Sequence, residues 1–105
     1  MAAMPSNDRP LLVFFTSRRS GPARRMESLL AHIARKERAR LRVRKVDVDE
    51  QPELAERFCV EQVPSLALVV EKRVVNRIDG RATAPKIESM LEPHLGEEEP
   101  EAAVA

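Results

Sequence analysis

The run Leu11-Leu12-Val13-Phe14-Phe15-Thr16 constrains this chain more than any other stretch. A strand with one wet face alternates apolar and polar residues. This run does not alternate, so a strand built from it must be covered on both faces. Turn residues follow at once, Ser17 to Pro22, and then Met26, Leu29, Leu30, Ile33 and Ala34 recur at helical spacing. A strand buried on both faces, with a helix returning over it, needs neighbouring strands and a second helical layer. The chain has 105 residues, which suits one domain of this kind. Its aromatic content is 3%, all of it Phe, so Leu, Val and Ile must supply most of the core.

The rest of the chain is read from the same signals. Residues 1–10 are expected to be a disordered lead. Ser20 suits a helix N-cap and Pro22 an early helical position. The first helix is expected to reach about Ala39, with Arg35, Lys36, Arg38 and Arg40 near its C-terminus, where cations suit the dipole. Leu41 to Val48 alternates imperfectly and reads as a second strand. Pro52 opens a short helix to about Phe58. Leu66 to Val70 and Val74 to Ile78 read as a hairpin joined by Glu71-Lys72-Arg73. Thr83 caps a last helix carrying Ile87, Met90, Leu91 and Leu95, and Pro93 disturbs its final turn. Residues 96–105, GEEEPEAAVA, read as an acidic disordered tail. The order β-α-β-α-β-β-α over residues 11–95, with right-handed crossovers, gives an α/β three-layer sandwich around a four-stranded mixed sheet.

That order, with those residues, resembles the thioredoxin family. Ser20-Gly21-Pro22-Ala23 falls on the family's C-G-P-C motif after the LLVFF strand. Val46-Asp47-Val48-Asp49 with Pro52 falls on its D-x-D-x-x-P stretch. Val63-Pro64-Ser65 falls on the segment whose proline is cis, and Ile78-Asp79-Gly80 falls on the end of its last strand. The departures are as informative. Ser20 and Ala23 replace both cysteines. Arg19 replaces the tryptophan before the motif, and Phe14 stands where the family buries an aspartate.

Dithiol exchange needs a thiolate and a second, resolving thiol. Serine and alanine supply neither, so the family's reductase activity is not carried over to this turn. Ser20 has no general base either. His32 lies about 12 residues along the helix, roughly 18 Å away, and His94 is at the far end of the last helix. The resemblance does imply a groove beside Pro64 where the family pairs backbone with an extended segment of a protein partner, a mode that needs no cysteine. Its expected lining is Arg19, Ser20, Gly21, Pro22, Val63, Pro64, Ser65, Gly80 and Arg81.

Arg18, Arg19, Arg24 and Arg25 flank the turn, where the helix dipole disfavours cations. Two accounts stand: solvated loop arginines, since 14 of the 18 basic residues are Arg, or a rim for phosphate or carboxylate ligands. The charge is split along the chain. Residues 1–45 carry 12 basic and 3 acidic side chains, and residues 46–105 carry 6 and 14, which favours an acidic partner for the N-terminal half. Nucleic acid is a weaker expectation because stacking aromatics are scarce. Cys59 is the single cysteine, so no internal disulfide forms. A cytoplasmic protein without membrane span, metal or cofactor is expected. The leading reading is a redox-inactive module that binds a protein or peptide. The alternatives are a monothiol oxidoreductase working through Cys59 and a subunit of a larger assembly.

Overall fold

The structure, a computed structural model, describes residues 9–95. Four strands, β1 (Leu11–Thr16), β2 (Arg42–Asp47), β3 (Ser65–Val70) and β4 (Arg73–Asp79), form one sheet in the order β2-β1-β3-β4. β1 runs parallel to β2 and antiparallel to β3, and β3 runs antiparallel to β4. Three helices, α1 (Gly21–Lys36), α2 (Pro52–Arg57) and α3 (Ala84–Leu91), complete the expected order. The mixed four-stranded α/β sandwich read from the sequence is therefore the observed one.

β1 lies between two strands and between two cores, as its unbroken apolar run requires. Leu12 and Phe14 enter a cluster with Met26, Leu30 and Ile33 of α1, Leu66 and Leu68 of β3, and Ile87, Met90 and Leu91 of α3. Val13 and Phe15 point the other way, into a cluster with Val46 and Ala67 that Leu54, Phe58, Val60 and Val63 cover from the α2 side. The Phe15 and Phe58 rings meet at 5.2 Å between centroids, tilted by 56°.

The boundaries differ from expectation in instructive ways. α1 stops at Lys36, not Ala39, and Leu41 N–H and Arg40 N–H both turn back to the Glu37 carbonyl. β2 is shorter than Leu41–Val48, and its imperfect alternation has a cause. Val43 packs towards α1 and Val46 towards α2, so the apolar parity changes where the covering helix changes. β3 gains Ser65 and β4 extends from Arg73 to Asp79. Glu71 and Lys72 form the hairpin loop with φ of 53° and 70°, the pair of positive values that a two-residue primed turn demands. α3 ends at Leu91 and tightens into a 3₁₀ turn over Glu92–His94, around Pro93.

The lead is corrected at its end. Arg9 and Pro10 belong to the fold: Pro10 is buried, its carbonyl accepts the Arg42 N–H at 2.9 Å, and Arg9 Nη1 donates to the Arg38 carbonyl at 2.6 Å. The remaining lead and the tail over 96–105 lie outside the described residues. Among the described residues no helix is long and apolar enough to cross a membrane.

Phe14 is 1% exposed and sits at the centre of the larger cluster. Truncating it should leave a cavity that the strand on either side cannot collapse into. Phe14→Ala is expected to cost about 3–5 kcal/mol in denaturant unfolding, with an unchanged m-value.

Candidate functional site

The C-terminal end of β1, the N-terminal end of β3 and the C-terminal end of β4 lie side by side. Phe15 is opposite Ser65, and Ser65 is opposite Asp79. One residue further on, the Gly80 N–H donates to the Pro64 carbonyl at 2.8 Å. The turn after β1, Pro64 and the Gly80–Arg81 segment are thus brought to one end of the sheet, although the turn lies more than forty residues before Pro64 in sequence.

The turn is built by its own polar side chains. Ser20 N–H donates to the Ser17 carbonyl at 3.0 Å, closing Ser17–Ser20. Ser20 is extended, and its Oγ accepts the Ala23 N–H at 3.1 Å, the N-cap read from the sequence. Pro22 has no N–H to offer. First-turn donors are therefore largely used or absent, so an anion arriving here would meet guanidinium groups more than backbone amides. Ala23 is fully buried. At this turn neither Ser20, held as a cap, nor Ala23 can exchange a disulfide.

A second anchor comes from far along the chain. Ser17 is 6% exposed; its Oγ donates to Asp49 Oδ2 at 2.6 Å and accepts the Arg19 N–H at 3.2 Å. Arg19 Nη2 reaches Asp49 Oδ1 at 3.1 Å, and Arg18 Nη2 lies 3.6 Å from Glu50 Oε2. The Ser17 hydroxyl, then Arg19, hold the Asp49 carboxyl below the ordinary carboxylate range. The four rim arginines thus divide. Arg18 and Arg19 are tied to carboxylates, whereas Arg24 and Arg25 are exposed and have no carboxylate partner among the described residues. In the sequence Asp49 stands out only as part of the Val46–Asp49 stretch before Pro52, with no sign of contact with the turn. Its partner lies 32 residues away, and no local pattern joins them. Beneath the turn, Thr16 Oγ1 is buried and has no hydrogen-bond partner among the described residues.

The Val63–Pro64 peptide is cis, and Pro64 and Ser65 are buried. Ser65 Oγ lies 2.7 Å from the Gln62 carbonyl and 3.3 Å from Asp79 Oδ1, one proton between two acceptors. Among the described residues nothing bonds to the backbone N–H or C=O of Val63, which precedes the ladder of β3. Gly80 adopts φ of 94°, a value that favours glycine, beside Gln62. Arg81 is exposed and shares a cleft of about 520 Å³ with Met26, Ala82, Thr83 and Lys86.

Cys59 is exposed but occupies a different setting. Its N–H donates to the Glu56 carbonyl and the next N–H, of Val60, to the Ala55 carbonyl, with φ of 57° at Cys59. This is a Schellman close to α2, with cysteine at the left-handed position that glycine usually takes. Arg77 of β4 fastens it, donating to the Phe58 and Cys59 carbonyls at 2.9 and 3.3 Å. Cys59 is therefore bonded through its backbone to α2 and to Arg77 of β4. No cluster able to hold a metal ion occurs among the described residues.

Comparison with known proteins agrees with this geometry. The thioredoxin family model matches residues 2–93. The chain is 37% identical over 75 residues to thioredoxin from Mycobacterium tuberculosis, covering 71% of this chain and 65% of that protein. It matches the bifunctional thioredoxin reductase/thioredoxin of Mycobacterium leprae at the same identity, over 71% of this chain and 16% of that protein. The chain thus spans less than two thirds of the length of these relatives. The structure resembles the germline-specific thioredoxin Deadhead of Drosophila melanogaster with a TM-score of 0.79 and 29% identity, over 86% of this chain and 85% of the other.

Two outcomes follow from the bonds above. Because the folded Asp49 carboxyl titrates low, its contribution to stability is complete above the unfolded-chain pKa of about 3.9 and is lost as pH falls through the folded value. Carboxyl NMR titration of Ser17→Ala should show the Asp49 midpoint rising, and its acid unfolding should begin at higher pH than in the parent. Separately, Cys59→Gly relieves a left-handed side chain and should raise stability by about 1 kcal/mol in chemical denaturation.

Proposed function

The chain belongs to the thioredoxin family, and we propose that it is a redox-inactive member that binds an extended segment of a protein partner. The reading rests on one observation above the rest. Among the described residues the Val63 N–H and C=O are unpaired beside buried Pro64, at the sheet end shared with the turn and with Gly80–Arg81, and that turn carries Ser20 and Ala23 in place of thiols.

An extended segment lying along Val63 would gain the backbone hydrogen bonds that this residue lacks, as in strand addition. Its side chains would meet Arg19 and Pro22 on one side and Gly80 and Arg81 on the other. Acidic side chains suit this rim, because Arg24, Arg25 and Arg81 are exposed without carboxylate partners among the described residues. Their contribution is to orientation and rate of capture more than to affinity, since exposed ion pairs are weak and screened by salt. Such binding leaves the partner's disulfides and thiols unaltered. A reducing cytoplasm is the setting we assign to it.

Titration with an extended acidic peptide, followed by amide NMR, tests the reading. Saturable shifts are expected at Val63, Ser65 and Gly80, and Arg24→Glu with Arg25→Glu should weaken binding by about tenfold at low salt. Insulin reduction by dithiothreitol should run at the uncatalysed rate. Catalysed reduction that persists in Cys59→Ser, or the absence of any shift at Val63, overturns the proposal.

A further inference from the structure

The outer edge of β2 combines three features that no part of the groove reading uses. First, β2 pairs with β1 without interruption over six residues, from Leu11↔Arg42 to Thr16↔Asp47, and no described strand pairs with its other side. Among the described residues, alternate backbone N–H and C=O groups along that side therefore have no strand to pair with. The opposite edge differs, because the ladder joining β4 to β3 carries a register shift at Leu68/Val69.

Second, an apolar groove runs beside this edge on the α1 face. Phe14, Leu30, Ala34 and Val43 line it, the Glu27–Lys45 ion pair at 3.7 Å stands at its rim, and its volume is about 340 Å³. Third, the other face of the same strand is cationic. Arg42 and Arg44 alternate with Val43 and Lys45, so they stand on the side opposite the groove, and both are exposed. α2 has only six residues, about 9 Å of helix, and cannot extend over that end of a strand roughly 20 Å long. Neither arginine has a carboxylate partner among the described residues.

We infer that β2 is a docking edge for a strand of another protein in which apolar and acidic residues alternate. Side chains of one parity enter the groove beside Val43, and carboxylates of the other parity meet Arg42 and Arg44. Successive side chains of a strand point to opposite faces, so one two-residue repeat satisfies both surfaces. A second copy of this chain does not fit. Antiparallel self-pairing centred on this stretch would set Arg42 or Arg44 of one copy against an arginine of the same face in the other, and directly opposed like charges are destabilising. The chain's own acidic run, Glu97-Glu98-Glu99-Pro100-Glu101, lacks the apolar alternation and contains a proline that cannot donate to a ladder.

The probe is a soluble peptide, Glu-Val-Glu-Leu-Glu-Val-Glu, added to the full chain at low salt. Saturable amide shifts and slowed hydrogen exchange are expected at the alternate β2 amides that do not bond to β1. Arg42→Glu with Arg44→Glu should weaken binding by about tenfold or more, as should raising the salt concentration. Ala31→Leu, at an exposed α1 position lining the groove, should weaken it by filling the groove, with unchanged melting temperature as the control for folding. Equal binding of a block-sequence peptide, Val-Val-Leu-Glu-Glu-Glu-Glu, would mean charge attraction alone and overturn the inference. So would shifts confined to Val63–Ser65, which is the other site, or outer β2 amides already protected in the free chain. No binding overturns it as well.

Discussion

Burial of β1 on both faces is the constraint on which the rest of the structure depends. Its odd and even residues are apolar alike, and each parity is claimed by a different core. Leu12 and Phe14 require α1 and α3 above the sheet; Val13 and Phe15 require α2 below it. Each fully buried side chain of this size contributes about 1.5–3 kcal/mol before the entropy of ordering is subtracted. The strand is also hydrogen-bonded on both sides, by β2 and β3, so it can neither slide nor turn over without losing both packing and ladder. The turn at its end inherits that rigidity.

Rigidity at the turn is reinforced by groups that would otherwise be available for chemistry. Ser20 Oγ is occupied as an N-cap, Ser17 Oγ bridges the turn to Asp49, and Arg19 closes the same carboxylate. A site built for exchange would leave a nucleophile free and place a proton acceptor within reach. Here the Ser20 hydroxyl caps the backbone and the Ser17 hydroxyl ties the turn to Asp49, while Phe14 fills the core beneath with an apolar ring. Cys59 has been drawn into a comparable service, ending α2 at a position where its side chain gains nothing from the fold. Among the described residues at this end of the sheet, the groups left open are Thr16 Oγ1, the Val63 backbone and those arginines that lack a carboxylate.

Those arginines are not equivalent, and tertiary contacts separate them. Arg18 and Arg19 face Glu50 and Asp49, whereas Arg24, Arg25 and Arg44 face water and Arg42 reaches the Arg9 carbonyl, at 3.5 Å. Arg77 closes α2 through two carbonyls and also meets Asp79 at 3.2 Å. The same residue type thus braces a helix end, balances a loop carboxylate, or remains available to a partner, according to what the fold sets beside it.

Local chemistry in the sequence determined a good deal: a doubly buried strand at Leu11–Thr16, an N-cap at Ser20, a hairpin joined by Glu71-Lys72-Arg73, a cap at Thr83 and a break at Pro93. Each of these depends on residues within a few positions of one another, through periodicity, capping or restricted φ, so each is legible without the fold. The sequence also excluded dithiol chemistry at the turn, because the atoms required are absent. Only the tertiary structure decided that Asp49 anchors the turn, that Cys59 belongs to α2 and β4, and that the edge of β2 pairs an apolar groove with a cationic face. Those relations join residues some 18 to 32 positions apart or lie between separate elements, and a linear pattern does not encode which distant groups a sheet register brings within hydrogen-bond reach.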